Sequence, residues 1–314
     1  MLCKNPYMRG ILAHGCGQCL PCRISQRRLW THRMMLESLE HEHSSFITLT
    51  YSDDHIPESG SLDPKHVQDW LKAIRRRVEP TRLRYFLVGE YGDETFRPHY
   101  HVALFGYEPC KYLRSRYKYN KDCCFQCDLV RDTWGKGNID VGVLEKDSAQ
   151  YVAGYTTKKM TSKDDPRLCG RFPEFARMSL KPGIGASFMD VVADAYQAQL
   201  MSVSSESTIR LPSILNHGSK QWPLGRYLKG KLNALLELTS SREVTDIGGR
   251  LFKTRLDSVG DLLKDEFFLS MFQLQETARS SEGGSPKEVF KKVTKEKIRN
   301  VEARERIFKK VKVI

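Results

Sequence analysis

The apolar residues in the first half of the chain follow two spacings, one typical of strands and one typical of helices. Short β-branched and aromatic runs bounded by turn residues predict strands at residues 46–51, 83–88, 100–106 and 139–144. Helical spacing predicts helices at about residues 25–42 and 64–78, a short one near Trp134 and another from Ser148. We expect the second and third strands to pair as a hairpin, with residues 90–98 as their connection.

The pattern changes after residue 201 and predicts a division of the chain. Residues 202–223 are rich in Ser and contain Pro212, Gly218 and Pro223, which predicts a linker. Further helices are predicted at residues 228–238 and 259–276, before a flexible break at 280–286. The expected parts are a cysteine-rich segment (1–24), a core (25–201), the linker (202–223), a helical region (224–279) and the break with a basic amphipathic tail (280–314).

The charge of the chain indicates a polyanionic partner. Its 314 residues carry a formal net charge of +13, and bound phosphates would release counterions from Lys and Arg contacts. Nucleic acid is the favoured partner, and an anionic membrane surface is the alternative. The basic tail predicts non-specific DNA holding, docking of a partner, or simply a solvated helix. No apolar stretch approaches the roughly 20 residues of a membrane span, so we expect a cytoplasmic protein.

Two histidines on the third predicted strand are candidate metal ligands. His99 and His101 are two residues apart, so both imidazoles project from the same side of a strand. If the second and third strands pair, the Glu90 carboxylate approaches them. Two imidazoles and a carboxylate suit Mg²⁺ or Mn²⁺ more than structural Zn²⁺. The alternative is ordinary core or surface histidines beside a solvated turn carboxylate.

Two tyrosines on the helix near residue 148 are candidate nucleophiles. Tyr151, Tyr155 and Lys158 share one helical face, and Asp147 with Gln150 resembles a capping box at the helix start. A phenol is a weak nucleophile at neutral pH, so attack on a phosphodiester requires charge neutralisation at phosphorus. The cation and Lys158 would supply that neutralisation, with Lys159 less well aligned. The alternative is an amphipathic stripe in which the tyrosines anchor the core.

The nine cysteines suggest a structural metal site. An odd number without an export signal argues against a disulfide framework. Four thiolates for one tetrahedral Zn²⁺ could come from Cys3, Cys16, Cys19 and Cys22. A rival zinc-ribbon set is Cys16, Cys19, Cys124 and Cys127. Reduced thiols without a metal are the third reading.

Three segments in this order resemble the motifs of HUH endonucleases: residues 46–50, residues 98–102 with Glu90 upstream, and residues 151–158. The two tyrosines are similar to those of microvirus replication initiators. The segments 16–23, 89–92, 97–101 and 178–185 resemble the gokushovirus branch of that family. The likeness covers about the first 190 residues.

The resemblance implies a fold and an activity. The fold would be α+β, a central, mostly antiparallel sheet flanked by helices, with the histidines on a central strand and the tyrosines on a helix over the same face. One tyrosine would nick single-stranded DNA at a phage origin, keep a 5′-phosphotyrosine link and leave a 3′-hydroxyl, and the strand would later be rejoined. A host replicative helicase and the bacterial cytoplasm would be the partner and the place. A plasmid replication protein, relaxase or transposase, and a non-catalytic zinc-stabilised DNA-binding regulator, are the alternatives.

Overall fold

The computed structural model describes residues 2–10, 12–112, 123–155, 164–202, 212–217, 220–244 and 285–311. The strands are β1 Tyr7–Arg9, β2 Leu12–His14, β3 Ser44–Thr50, β4 Arg84–Tyr91, β5 Pro98–Phe105, β6 Ile139–Val143, β7 Phe175–Met178, β8 Ile214–His217 and β9 Lys220–Pro223. The helices are α1 Leu20–Leu39, α2 Pro64–Arg77, α3 Phe125–Trp134, α4 Lys146–Tyr155, α5 Phe188–Ser202, α6 Gly225–Val244 and α7 Pro286–Val311.

A five-stranded antiparallel sheet forms the centre of the fold. Its strand order is β6-β3-β5-β4-β7, so the histidine-bearing strand β5 is central. β4 and β5 pair as a hairpin over their whole length, with Glu90 opposite His99 and Val88 opposite His101. The predicted α+β class, sheet and hairpin are confirmed.

The two faces of the sheet bury different apolar residues because side chains alternate along each strand. One face packs against α2 and α3, with Ile47, Leu49, Val102 and Trp70 among the buried residues. The other face buries a smaller cluster that contains Phe86, Val88 and Ala103 from the sheet and Val152 and Ala153 from α4. The second face also carries His99 and His101, so α4 lies on the side of the sheet that the sequence predicted.

Three local predictions need correction. Residues 90–91 are not part of the connection, because β4 continues to Tyr91 and leaves only a short turn before Pro98. Helix α4 begins at Lys146, and Ser148 Oγ accepts the Glu145 N–H at 2.7 Å. Ser148 therefore makes the side-chain bond that the predicted Asp147 and Gln150 box assigned elsewhere. Helix α1 begins five residues earlier than expected, at Leu20.

The chain divides into two compact units. One comprises Arg27–Val191 with Trp222–Leu224 and contains the five-stranded sheet. The other comprises Met1–Gln26, Val192–Gln221 and Gly225–Ile314. In that unit, β1 and β2 form a two-stranded antiparallel sheet, and Phe290 of α7 packs with Cys3 and Cys22.

Part of the predicted linker is regular structure, since β8 and β9 lie within residues 202–223 and pair with each other. The basic tail forms α7. The helix predicted at 259–276 and most of the flexible break lie outside the described residues. Among the helices that the structure describes, none is long and apolar enough to cross a membrane.

Candidate metal and nucleophile site

Glu90, His99 and His101 converge on one point of the sheet. Glu90 Oε1 lies 2.7 Å from His99 Nε2 and 3.1 Å from His101 Nε2. The Glu90 side chain is only 2% exposed. The strand register accounts for this proximity, because Glu90 and His99 are direct cross-strand partners and His101 follows on the same face. One carboxylate and two imidazoles thus offer three ligand atoms to one ion.

The hydrogen bonds of His99 test whether a cation fits this site. His99 Nδ1 lies 3.1 Å from the Arg97 carbonyl oxygen, which can only accept, so Nδ1 carries the proton. In a neutral ring Nε2 then has only a lone pair, yet it faces a carboxylate oxygen at 2.7 Å. Two lone pairs at this distance repel unless a proton or a metal ion lies between them. The buried donor set therefore fits a divalent cation.

Two neighbours on β3 orient His101. Thr48 is its cross-strand partner, and Thr48 Oγ1 lies 3.0 Å from His101 Nδ1. The Phe46 ring stacks on the imidazole, with ring centroids 5.5 Å apart. A hydrogen bond to the second ring nitrogen fixes which nitrogen faces a metal. The sequence analysis gave neither residue a role, although both lie in the 46–50 segment that it used for the resemblance.

Tyr151 of α4 lies beside the three ligands. Its ring meets the His101 ring edge to face at a centroid distance of 5.2 Å, and it contacts Phe46 in the same manner at 6.2 Å. The side chain is 43% exposed. Buried Ala149, Val152 and Ala153 supply the packing face of the helix. Tyr151 is therefore accessible at the site and is not a core anchor.

The rest of the predicted nucleophile face is not described. The backbone of Tyr155 is the last residue of α4, but its side chain lies outside the described residues. Lys158 and Lys159 also lie outside them. Their roles stay predictions.

An acidic residue missed by the sequence analysis lies in the same row of the sheet. Asp140 of β6 is the cross-strand partner of Thr48, which in turn pairs with His101. Burial raises the pKa of the Asp140 carboxyl to about 6, because desolvation disfavours its charged form. The position follows from the β3–β6 register, which no local pattern in the sequence reveals.

The four N-terminal cysteines form one cluster. The sulfurs of Cys3, Cys16, Cys19 and Cys22 all lie within 4.8 Å of one another. The backbone N–H groups of Cys16 and Cys19 donate to sulfur, and the Cys19 N–H lowers the pKa of the Cys16 thiol to about 6. This cluster can hold a metal ion. The rival zinc-ribbon set is wrong, because Cys124 and Cys127 belong to a second cluster with Cys110 and Cys123.

Comparison with known proteins identifies the region that contains the metal and nucleophile site. Residues 44–160 match the family model of the replication-associated protein ORF2. This region is similar to that family. The match includes the ligands Glu90, His99 and His101 as well as Tyr151 and Tyr155.

Whole-sequence relatives bear similar names. The chain is 33% identical over 159 residues to replication-associated protein VP4 of Bdellovibrio phage phiMH2K, covering 49% of the chain and 50% of the relative. It is 31% identical over 207 residues to replication-associated protein ORF2 of Spiroplasma virus 4, covering 62% and 63%. It is 30% identical over 153 residues to replication-associated protein ORF4 of Chlamydia phage 1, covering 46% and 38%.

These relatives confirm the resemblance to microvirus replication proteins that the motifs indicated. The chain spans about half the length of the first relative and less than two thirds of each of the three. No solved structure matches the chain.

Proposed function

We propose that the chain initiates rolling-circle replication by nicking single-stranded DNA at a phage origin and later rejoining the strand. One observation carries the proposal: an exposed tyrosine, Tyr151, lies against His101, and His101 converges with His99 and Glu90 on a site that suits a cation. The names of the relatives, all replication-associated proteins of phages or a virus, support the same biological setting.

The chemistry proposed for the nick is a transfer of the phosphodiester bond. The phenolic oxygen of Tyr151 or Tyr155 attacks phosphorus, a phosphotyrosine bond forms, and the bond from phosphorus to the 3′ oxygen breaks. The phenol gives up its proton, and the leaving 3′ oxygen takes one up to become a hydroxyl primer. Lys158 offsets charge on the pentacoordinate transition state.

Glu90, His99 and His101 would hold the metal, with Mg²⁺ or Mn²⁺ as the preferred ions. A cation bound there would polarise a non-bridging oxygen of the scissile phosphate. The protein's own contribution is orientation: Thr48 and Phe46 fix the His101 ring, and the Arg97 carbonyl fixes the His99 ring. Because Glu90 is buried, its carboxylate cannot swing out to water and stays aimed at both imidazoles.

Rejoining follows from the same bond. The phosphotyrosine conserves the energy of the phosphodiester, so a later attack by a 3′-hydroxyl restores the strand without ATP. The second tyrosine would cut the regenerated origin while the first holds the strand end. A host replicative helicase in the bacterial cytoplasm is the proposed partner, because the 3′-hydroxyl can be extended only as the duplex opens.

The four N-terminal cysteines would hold a structural Zn²⁺ that braces the first residues against α7. This zinc would not take part in the chemistry. Phe290 of α7 packs against Cys3 and Cys22, and Lys4 forms an ion pair with Glu302 of the same helix.

A covalent adduct on a denaturing gel tests the proposal. The protein is incubated with Mn²⁺ and end-labelled single-stranded oligonucleotides that tile the viral genome encoding it. We expect one oligonucleotide to give a shifted adduct and a 3′-hydroxyl product, and EDTA to abolish both.

Variant proteins make the test specific. The doubly substituted Tyr151→Phe, Tyr155→Phe protein should form no adduct, whereas Tyr227→Phe, a half-exposed tyrosine of α6, should retain it. Absence of an adduct on every oligonucleotide would favour the non-catalytic DNA-binding regulator. An adduct formed only on plasmid origin, transfer-origin or transposon-end DNA would favour the plasmid, relaxase or transposase alternatives.

A further inference from the structure

A second group of four cysteines lies far from the N-terminal cluster in sequence. Cys110 follows β5, and Cys123, Cys124 and Cys127 lie at the start of α3. Their four sulfurs all lie within 4.8 Å of one another. Cys110 and Cys127 are buried in the larger core cluster, and Cys123 and Cys124 pack against it. The group therefore lies in the same unit as the sheet.

The spacing of the sulfurs fits a tetrahedral metal. With a Zn–S bond of about 2.3 Å, the sulfurs of a Zn(Cys)₄ site are about 3.8 Å apart. Cys110 Sγ lies 3.5 Å from Cys123 Sγ and 3.9 Å from Cys124 Sγ, on either side of that value. A disulfide would need sulfurs about 2.05 Å apart, so these distances describe separate thiols.

The start of α3 favours thiolates at two of the positions. Cys124 is the N-cap residue, with extended backbone angles, and Cys127 lies in the first turn. The first N–H groups of a helix and its dipole stabilise negative charge there. Four thiolates packed into an apolar core still require a cation to balance them. A divalent ion with a preference for sulfur meets that need.

We infer that Cys110, Cys123, Cys124 and Cys127 form a second structural zinc site, independent of the proposed nicking chemistry. It joins the segment after β5 to α3, where the Tyr107 hydroxyl also donates to the Gln126 carbonyl at 2.7 Å. The Cys110 N–H donates to the Val141 carbonyl of β6 at 3.3 Å. The metal would thus fix three elements at one end of the sheet.

This brace reaches the candidate nucleic-acid site through α3. At the other end of that helix, Trp134 Nε1 donates to the Thr50 carbonyl at 2.9 Å. Thr50 is the cross-strand partner of His99. Zinc at the start of α3 would therefore hold the helix that supports β3 beside the metal ligands.

Metal analysis of the full-length protein, purified under reducing conditions, tests the inference. The Cys123→Ser, Cys124→Ser protein should contain one zinc per chain less than the wild type. The matched control is Cys169→Ser, because Cys169 is exposed and belongs to neither cluster. Its zinc content should equal that of the wild type. Equal zinc in the Cys123→Ser, Cys124→Ser protein and the wild type would overturn the inference.

A second measurement does not depend on the folding of that variant. The Cys16→Ser, Cys19→Ser protein is loaded with ¹¹³Cd²⁺, whose NMR shift reports the number of sulfur ligands. We expect one resonance in the four-sulfur range, from the second cluster. A soluble, folded protein without such a resonance would overturn the inference.

Discussion

Glu90 is the residue on which the candidate metal site depends most. It is buried, and one of its oxygens contacts both imidazoles. Glu90→Gln keeps the shape of the side chain but removes its negative charge. Loss of an outer-sphere partner costs roughly 10- to 100-fold in metal affinity, and loss of a direct ligand should cost at least about 10-fold. Calorimetric titration with Mn²⁺ measures this change.

The matched control for that substitution is Glu94→Gln, in the exposed turn between β4 and β5. Its Mn²⁺ affinity should equal that of the wild type. If Glu90→Gln also bound Mn²⁺ as tightly as the wild type, the carboxylate would not be a ligand.

Asp140 gives a prediction about pH. Its pKa is about 6 in the folded protein and roughly 3.9 in an unfolded chain. Between these values the native state holds a proton that the unfolded state has released, so the free energy of unfolding falls as pH rises. Asp140→Asn removes this penalty and should stabilise the protein above pH 6 by at most about 3 kcal/mol.

Urea unfolding at several pH values checks the Asp140 prediction. The stabilities of the wild type and Asp140→Asn should converge below about pH 4, where the carboxyl is protonated in both states. Asp132→Asn, an exposed change on α3, serves as the control and should leave the pH profile of the wild type unchanged. A constant difference between Asp140→Asn and the wild type at all pH values would contradict the argument.

At the scale of elements, the turn before β6 is the tightest approach of backbone to the metal-bearing part of the sheet. Gly137 has φ +154°, and an added Cβ would lie 2.4 Å from both Ser52 N and Thr50 O. The flanking residues hold the turn to β3, with Thr50 N–H donating to Asn138 O and Ser52 N–H to Lys136 O, both at 2.9 Å. Only glycine fits there without displacing β3.

Gly137→Ala should therefore cost more stability than a change that only strains the backbone. Gly170→Ala is the control, since Gly170 has φ +80° but open space around it. We expect about 1–2 kcal/mol for Gly170→Ala and at least about 3 kcal/mol for Gly137→Ala. Equal losses in urea unfolding would show that the close contact has no energetic effect.

The sequence predicted most elements because their apolar spacing is local. The strands that contain Phe46, Val88, His101 and Val141 lie close to their expected positions. The end of β4 was missed, since the strand continues past Gly89 by pairing with β5 and β7. Propensity alone did not predict this extension, because Gly and Glu are depleted in strands.

The site was predictable to the extent that its residues lie on one hairpin and one helix. His99, His101 and Glu90 follow from the alternation of a paired strand, and Tyr151 from its helix. Asp140 and the second cysteine cluster were missed. Their positions depend on contacts between elements distant in sequence: β3 with β6 for Asp140, and the segment after β5 with α3 for Cys110.

At the scale of the whole molecule, the net charge of +13 predicts how binding responds to salt. Each phosphate neutralised on single-stranded DNA contributes about −0.7 to the slope of log affinity against log salt. We expect affinity for an oligonucleotide without the origin sequence to fall by at least about 10-fold between 50 and 200 mM salt. Fluorescence anisotropy measures it, and an affinity independent of salt would contradict an electrostatic mode of binding.

The most direct test of the proposed mechanism is to identify the residue that is linked to DNA. The adduct formed with Mn²⁺ is digested with nuclease and protease, and the modified peptide is sequenced by tandem mass spectrometry. We predict a nucleotide joined through its 5′ phosphate to Tyr151 or Tyr155, both in α4. A link to any other residue, or cleavage that leaves a free 5′ phosphate with no linked peptide, would contradict it.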